Sequence, residues 1–172
     1  MAAADFIARF HMQRHPEGGY YVETYRADVN VDVERGVRAA SSAILFLVAG
    51  SDFSAFHRIE SDELWHFHCG APLEVVSIDA SGALSVTKLG NVAEADDVVC
   101  QCLVRRHTWF ASRLCRSPDG TVSDDAFALV GCTVSPAFDF VDFELAQRHR
   151  LLLEYPQHEQ IINELTRAQQ IS

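Results

Sequence analysis

The stretch FHRIESDELWHFHCG, residues 56–70, decides how this sequence is read. His57, His66 and His68 are interleaved there with acidic, aromatic and aliphatic side chains. Two strands are predicted, 53–59 and 63–70, joined by a turn at Glu60-Ser61-Asp62. Side chains two apart share a strand face, so His57 aligns with Ile59, His66 with His68, and Glu63 with Trp65 and Phe67. A hairpin of these strands can bring His57 and Glu63 to opposing positions. An imidazole and a carboxylate can bind a divalent metal together. Alternatively the carboxylate orients and charges the imidazole for proton transfer, with a histidine pKa of about 6.5 near working pH. A hydrogen-bonded histidine at a barrel rim is the structural alternative, and the spacing leaves all three open.

Outward from this stretch the chain is rich in short strands. HPEGGYYVETYR (15–26) supplies a turn at Pro16–Gly19 and then a strand on which Tyr21, Glu23 and Tyr25 share a face. SSAILFLVAG (41–50) reads as a buried strand, and 72–89 as a hairpin with Asp79–Gly82 at its tip. Further strands are expected at 98–104, 107–114 and 126–134. Residues 27–39 and 116–125 read as polar loops, candidates for lids or dimer contacts. Asp5 is placed as the cap of a helix running to Gln13, with Phe6, Ile7 and Phe10 on one face. Ile161, Ile162 and Leu165 lie at helical spacing in a C-terminal helix of about 156–169. About eight or nine short strands between two terminal helices indicate an all-β barrel or sandwich, with a jelly roll the leading candidate.

The chain has 172 residues, which fits one domain. Its formal net charge of −10 argues against general binding to nucleic acid and to anionic membranes. An anionic small ligand stays possible if a few arginines line a locally positive pocket. The five cysteines, Cys69, Cys100, Cys102, Cys115 and Cys132, are odd in number and form no CxxC pair. Buried free thiols in a reducing compartment are expected. The N-terminal MAAADFIARFHMQRH has no long apolar core, so a cytoplasmic location is expected. There is no GxxxxGK[ST] loop, GxGxxG turn or GxSxG elbow. Asp139, Asp142 and Glu144 lack the spacing of a calcium loop and read as an acidic strand face.

Several ordered motifs together resemble the cupin superfamily, in an RmlC-like branch labelled a domain of unknown function. They include HPEGGYYVETYR, SSAILFL (41–47), FHRIESDELWHFHCGAPLE (56–74), WFAS (109–112), LVGCTVSPAFDFVDFEL (129–145) and INELTR (162–167). The resemblance implies one cupin domain over 1–172: a double-stranded β-helix or RmlC-like β-barrel with a core of about 16–146 and short terminal helices. It also implies a homodimer and a pocket at one end of the barrel. The cupin first motif, HxHx(3–4)Ex(6)G, reads here as His57-x-Ile59, three residues, Glu63, six residues and Gly70. The second, PxGx(2)H, falls on Arg105 to Phe110. Ile59 and Phe110 stand where two of the four metal ligands would be.

The resemblance therefore implies a pocket in which His57 is the acid–base group, Glu63 its orienting partner and His66 a further catalytic candidate. Trp109 and Phe110 are expected as an aromatic wall, and Tyr21, Glu23, Arg26 and His68 as ligand contacts. A small-molecule ligand follows, a nucleotide-linked or phosphorylated sugar, with isomerisation or epimerisation as the chemistry. A divalent metal is the possible cofactor, held by His57, Glu63 and His68, with His66 or His107 as substitutes. That alternative is a metal-dependent dioxygenase or hydrolase; another is a non-catalytic binding or sensor protein.

Overall fold

The structure is a computed structural model that describes residues 1–167. Its strands, in chain order, are β1 (Gln13–Arg14), β2 (Tyr20–Arg26), β3 (Asn30–Val33), β4 (Gly36–Ala39), β5 (Ser42–Ala49), β6 (Phe53–Ile59) and β7 (Asp62–Gly70). They continue as β8 (Leu73–Ile78), β9 (Leu84–Leu89), β10 (Gln101–Val104), β11 (Trp109–Leu114), β12 (Phe127–Ser135) and β13 (Phe143–Leu145). Helices α1 (Ala3–Phe10), α2 (Arg148–Glu154) and α3 (Glu159–Glu164) flank them. A six-stranded sheet runs β1-β2-β5-β12-β7-β10, and a five-stranded sheet runs β13-β6-β11-β8-β9. The two enclose a jelly-roll core, as expected, although among the described residues no ladder closes them into one continuous barrel.

Three apolar clusters hold the layers together. Phe46, Val48, Trp65, Val75, Phe110 and Val130 fill the space between the sheets. Phe56, Val76, Trp109, Leu151, Ile162 and Leu165 seal α2 and α3 onto the outer face of the five-stranded sheet. Phe6, Met12, Leu47 and Leu129 do the same for α1 on the other sheet. Each fully buried Leu or Ile contributes about 1.5–3 kcal/mol by leaving water. Strands covered on both faces lose the alternation of a half-exposed strand, so SAILFLVA and FALVGCTVS read as nearly continuous apolar runs.

Several local expectations are corrected. Residues 27–39 are not an irregular loop, because β3 and β4 form a hairpin there. Ala2, not Asp5, caps α1; Asp5 sits in the first turn and its carboxylate accepts the Ala2 N–H at 2.8 Å. The C-terminal helix is shorter than expected: a 3-10 turn spans Pro156–His158 and α3 ends at Glu164, while residues 168 and 169 lie outside the described residues. The sequence reading missed α2, whose LLLE segment has no clear helical periodicity. Of the five thiols, all free, Cys132 is buried and Cys100 is exposed. No helix among the described residues is long and apolar enough to cross a membrane.

The most consequential correction concerns β6 and β7. They are consecutive but do not pair: β6 bonds to β11 and β13, and β7 to β12 and β10. The Glu60-Ser61 turn carries the chain from one sheet to the other. His57 and Glu63 thus enter the interior from opposite sheets, rather than as neighbours in a hairpin.

Candidate functional site

The turn between β1 and β2 builds the buried end of the site. Gly18 and Gly19 adopt φ of 115° and 70°, which side-chain-bearing residues rarely do. A Cβ on Gly18 would lie 2.1 Å from the Phe53 carbonyl, so only glycine lets the turn rest on β6. The contact is sealed by the Ala55 N–H, which donates to the Glu17 carbonyl at 2.8 Å. Glu17 is thereby turned inward, and 6% of it stays exposed.

His57 Nδ1–H donates to the Ala55 carbonyl at 2.7 Å. That bond fixes the tautomer, because a carbonyl can only accept, and it leaves Nε2 facing Glu17 Oε2 at 3.2 Å. The same oxygen lies 3.3 Å from His15 Nδ1. Ser54 Oγ donates to the other carboxyl oxygen at 2.9 Å. Burial pushes Glu17 well above the ordinary carboxylate range, and nearby Glu63 adds to the shift. Burial lowers His57 to about 3 and His15 to about 4. His57 and His15 are therefore neutral at neutral pH, and the shift of Glu17 favours its protonated form, with the proton directed at imidazole nitrogen.

Glu63 comes from β7 on the opposite sheet. Burial raises it to about 7, against the opposing pull of hydrogen bonding from its surroundings. The Cys132 thiol beside it is pushed well above its ordinary value, chiefly by burial, so it is no nucleophile. Two buried carboxyls, both shifted toward their protonated forms, therefore face the same interior from opposite sheets.

These groups open into a cavity of about 430 Å³. Tyr21, Phe46, Phe138 and Phe140 supply its rings. Glu23 and Arg26 stand at its exposed end, where Arg26 makes a two-point pair with Glu23 at 3.0 and 2.7 Å.

Of the residues singled out in the sequence, His57, Glu63, Tyr21, Glu23 and Arg26 line the cavity. Tyr25 does not join Tyr21 and Glu23 on one face. A bulge between Glu23 and Tyr25 resets the strand, so Arg26 lines the cavity and Tyr25 is exposed. The expected pairing of His57 with Glu63 is replaced by His57 with Glu17.

His66 and His68 do not line the cavity. Glu63, Trp65 and Phe67 occupy the inward face of β7, which sends the alternate positions to the outer face. There His66 is held by Thr133 Oγ1 at 3.1 Å and by the Gln101 side-chain amide at 2.7 Å, while His68 lies over Gly131. His107 is also elsewhere, exposed and 3.6 Å from Glu60. Phe110 and Trp109 are not the ring-binding wall. Phe110 is 1% exposed and packs under His57, ring centroids 4.0 Å apart. Trp109 points to the opposite face, into the cluster beneath α2 and α3, with Arg58 over its ring at 4.4 Å. Asp139, Asp142 and Glu144 do not converge: Asp142 pairs with Arg35 and Arg38, and Glu144 with Arg58.

The sequence reading missed His15 and Glu17, taking HPEGG as turn chemistry. The available signal was a histidine and a glutamate next to paired glycines, which let a backbone approach another strand closely. It also missed Phe138 and Phe140, because it read SPAFDF as an acidic strand.

The cupin frame implies a divalent metal, and the donor set tests that. His57 Nε2 is free to ligate, but it faces Glu17 rather than Glu63. Ile59 and Phe110, at the two further ligand positions, carry no lone pair. No group of three His, Cys, Asp or Glu side chains among the described residues is placed to hold a metal ion. The residues present do not fit the four-ligand cupin centre.

Comparison with known proteins agrees with this architecture. The family model described as cupin superfamily (DUF985) matches residues 4–146, and the chain belongs to that family. A solved protein from Shewanella oneidensis is 37% identical, with a TM-score of 0.86 over 98% of this chain and 99% of that one. A Leishmania major protein is 32% identical, with a TM-score of 0.87 over 98% of this chain and 100% of the other. A dTDP sugar isomerase from Desulfovibrio desulfuricans shares the fold at 15% identity, with a TM-score of 0.50 over 74% of this chain and 83% of that one. No curated protein matches the sequence.

Proposed function

We propose that this cupin binds a small polar ligand in the cavity and moves a proton on it, as an isomerase or epimerase does. One observation carries the reading: Glu17 Oε2 lies between His57 Nε2 and His15 Nδ1 in the cavity lining, with Glu63 entering from the other sheet. In this assignment Glu63 is the base that takes a proton from carbon next to a carbonyl. The proton held between Glu17 and His57 goes to the carbonyl oxygen, giving an enediol. Return of a proton to the neighbouring carbon, or to the other face of the same carbon, while an enediol hydroxyl gives its proton back to Glu17, completes isomerisation or epimerisation. The His57 role expected from the sequence is kept in altered form, with Glu17 as its partner.

The cavity volume lies within the range of small-molecule sites and suits one sugar-sized ring. The isomerase among the fold relatives lends support to the reaction class only. The test is proton exchange: a panel of reducing and keto sugars is incubated with the protein in deuterium oxide and followed by NMR. Deuterium appearing at the carbon next to the carbonyl, and lost in Glu17→Gln and Glu63→Gln, is the expected result. A panel member that binds in the cavity without exchange would replace the enzyme by a binding protein.

A further inference from the structure

We propose that the ligand of this cavity carries a positively charged amine on its ring-sized body, and that phosphorylated or nucleotide-linked compounds are disfavoured there. The inference rests on the reading of the cavity as the ligand site and adds the charge of what it holds.

The charge of the lining is the first argument. The chain has 14 lysines and arginines, and Arg26 is the one that lines the cavity among the described residues. It is already committed: Nε and Nη2 donate to the two Glu23 oxygens, and Nη2 also donates to the Phe138 carbonyl at 3.1 Å. A phosphate would have to break this two-point pair to gain its cation. The acidic side is not balanced in the same way. Glu63 and Asp139 line the cavity without an ion-pair partner among the described residues, although Asp139 lies in the field of Arg26, while Glu17, held by His15, His57 and the Ser54 hydroxyl, is shifted toward its neutral form. His15 and His57, both held neutral by burial, add no positive charge to repel an ammonium group.

The rings are the second argument, independent of the first. Tyr21, Phe46, Phe138 and Phe140 line the same space, and ring faces attract cations. Aromatic walls with unbalanced carboxyls form a site for a cation, whereas recognition of a phosphate calls for free arginine forks or lysines.

The groups facing the ligand are His15 and Glu17 from the turn, Glu23 and Arg26 from β2, His57 from β6, Glu63 from β7, and Cys132 and Asp139 from β12 and the segment after it. Burial raises Glu63 to about 7. Loss of its proton makes the cavity more negative, so an ammonium binds more tightly as pH rises and a phosphate more weakly.

The test uses three ring compounds that differ in charge: cyclohexylamine, which stays protonated over the range used, cyclohexanol and cyclohexyl phosphate. Affinities are measured by calorimetry on the full chain, with the His57 imidazole NMR signals reporting whether the compound sits in the cavity. The expected result is cyclohexylammonium binding about tenfold or more tighter than the other two, strengthening from about pH 6 to about pH 8. Glu63→Gln, nearly isosteric, flattens that rise. Cyclohexyl phosphate binding in the cavity as tightly as the amine, or an amine affinity that falls with pH, overturns the cationic assignment and leaves the cavity reading intact. Compounds that bind without moving the His57 signals overturn the cavity reading itself, and the inference with it.

Discussion

Oε2 of Glu17 lies 3.2 Å from Nε2 of His57, although Glu17 comes from a turn bordering one sheet and His57 from a strand of the other. The pair exists because the Ala55 backbone serves both partners. Its N–H holds the Glu17 carbonyl, and its carbonyl holds the His57 ring.

Glu17→Gln separates fold from chemistry. Glutamine keeps the size of the side chain, can accept from Ser54 and can donate to His57 Nε2, so the melting temperature stays within a few degrees of the parent. Proton exchange on a bound sugar disappears. Exchange at the parental rate in this variant would remove Glu17 from the acid–base assignment.

Stability follows pH in three regimes. In the folded protein Glu17 and Glu63 titrate above their ordinary 4.5, and His57 and His15 below their ordinary 6.5. Between about pH 4.5 and 6.5 the folded state holds protons on the two carboxyls and the unfolded chain holds them on the two imidazoles, so these groups leave stability flat. Below about pH 4.5 the unfolded chain binds protons on all four, and stability falls with acid. Above about pH 6.5 the unfolded chain has released them while the folded state holds that of Glu63 up to about pH 7 and that of Glu17 up to its own raised value, so stability falls as pH rises through this range. Urea denaturation across this range measures both limbs. Glu17→Gln should shallow the alkaline limb, and an unchanged limb would show that Glu17 ionises normally.

Asp52 secures the turn that carries Glu17. Its carboxylate accepts from Gly19 N–H at 3.0 Å and Phe53 N–H at 2.9 Å, and pairs with Arg14 and Arg167. Asp52→Ala strands part-buried donors and lowers stability by about 2 kcal/mol. Hydrogen exchange at Gly19 should accelerate more than exchange in β12. Uniform acceleration would mean that the turn is not locally held by this carboxylate.

Chelation tests the altered cupin frame. Because Ile59 and Phe110 offer no lone pair, dialysis against EDTA should change neither the melting temperature nor ligand affinity. A loss of either, restored by zinc or manganese, would show that donors other than the expected four complete a metal centre.

Phe110→Ala removes the ring beneath His57 and leaves a cavity between the sheets. The loss is about 3–5 kcal/mol of stability. The His57 ring loses its backing, so its NMR signals broaden even where the fold survives. A loss below about 1 kcal/mol would contradict the tight packing of the two rings.

The fold was legible in the sequence because it rests on local signals. Turn residues at Asp79–Gly82, the apolar run of β5 and the helical spacing of Ile161, Ile162 and Leu165 each fix an element with little help from distant residues. The His57-x-Ile59…Glu63…Gly70 frame then singled out the jelly roll and placed His57 and Glu63 in the cavity. What local signals could not fix was phase. A bulge on β2 exchanged Tyr25 for Arg26, and the inward facing of Trp65 and Phe67 sent His66 and His68 to the outer surface.

The partner of His57 was beyond the sequence altogether. Spacing along β6 and β7 pointed to Glu63, because neighbouring strands are expected to pair. The chain instead changes sheets at Glu60-Ser61, and the HPEGG turn, distant in sequence, folds onto β6 and delivers Glu17. The sequence by itself determined the family, most of the strands and two of the residues that line the cavity, His57 and Glu63, since patterning and motif spacing are properties of the chain. Only the tertiary structure decided which carboxyl meets which imidazole, which rings line the cavity and which charges stay unpaired, because those depend on sheet crossing, strand phase and burial.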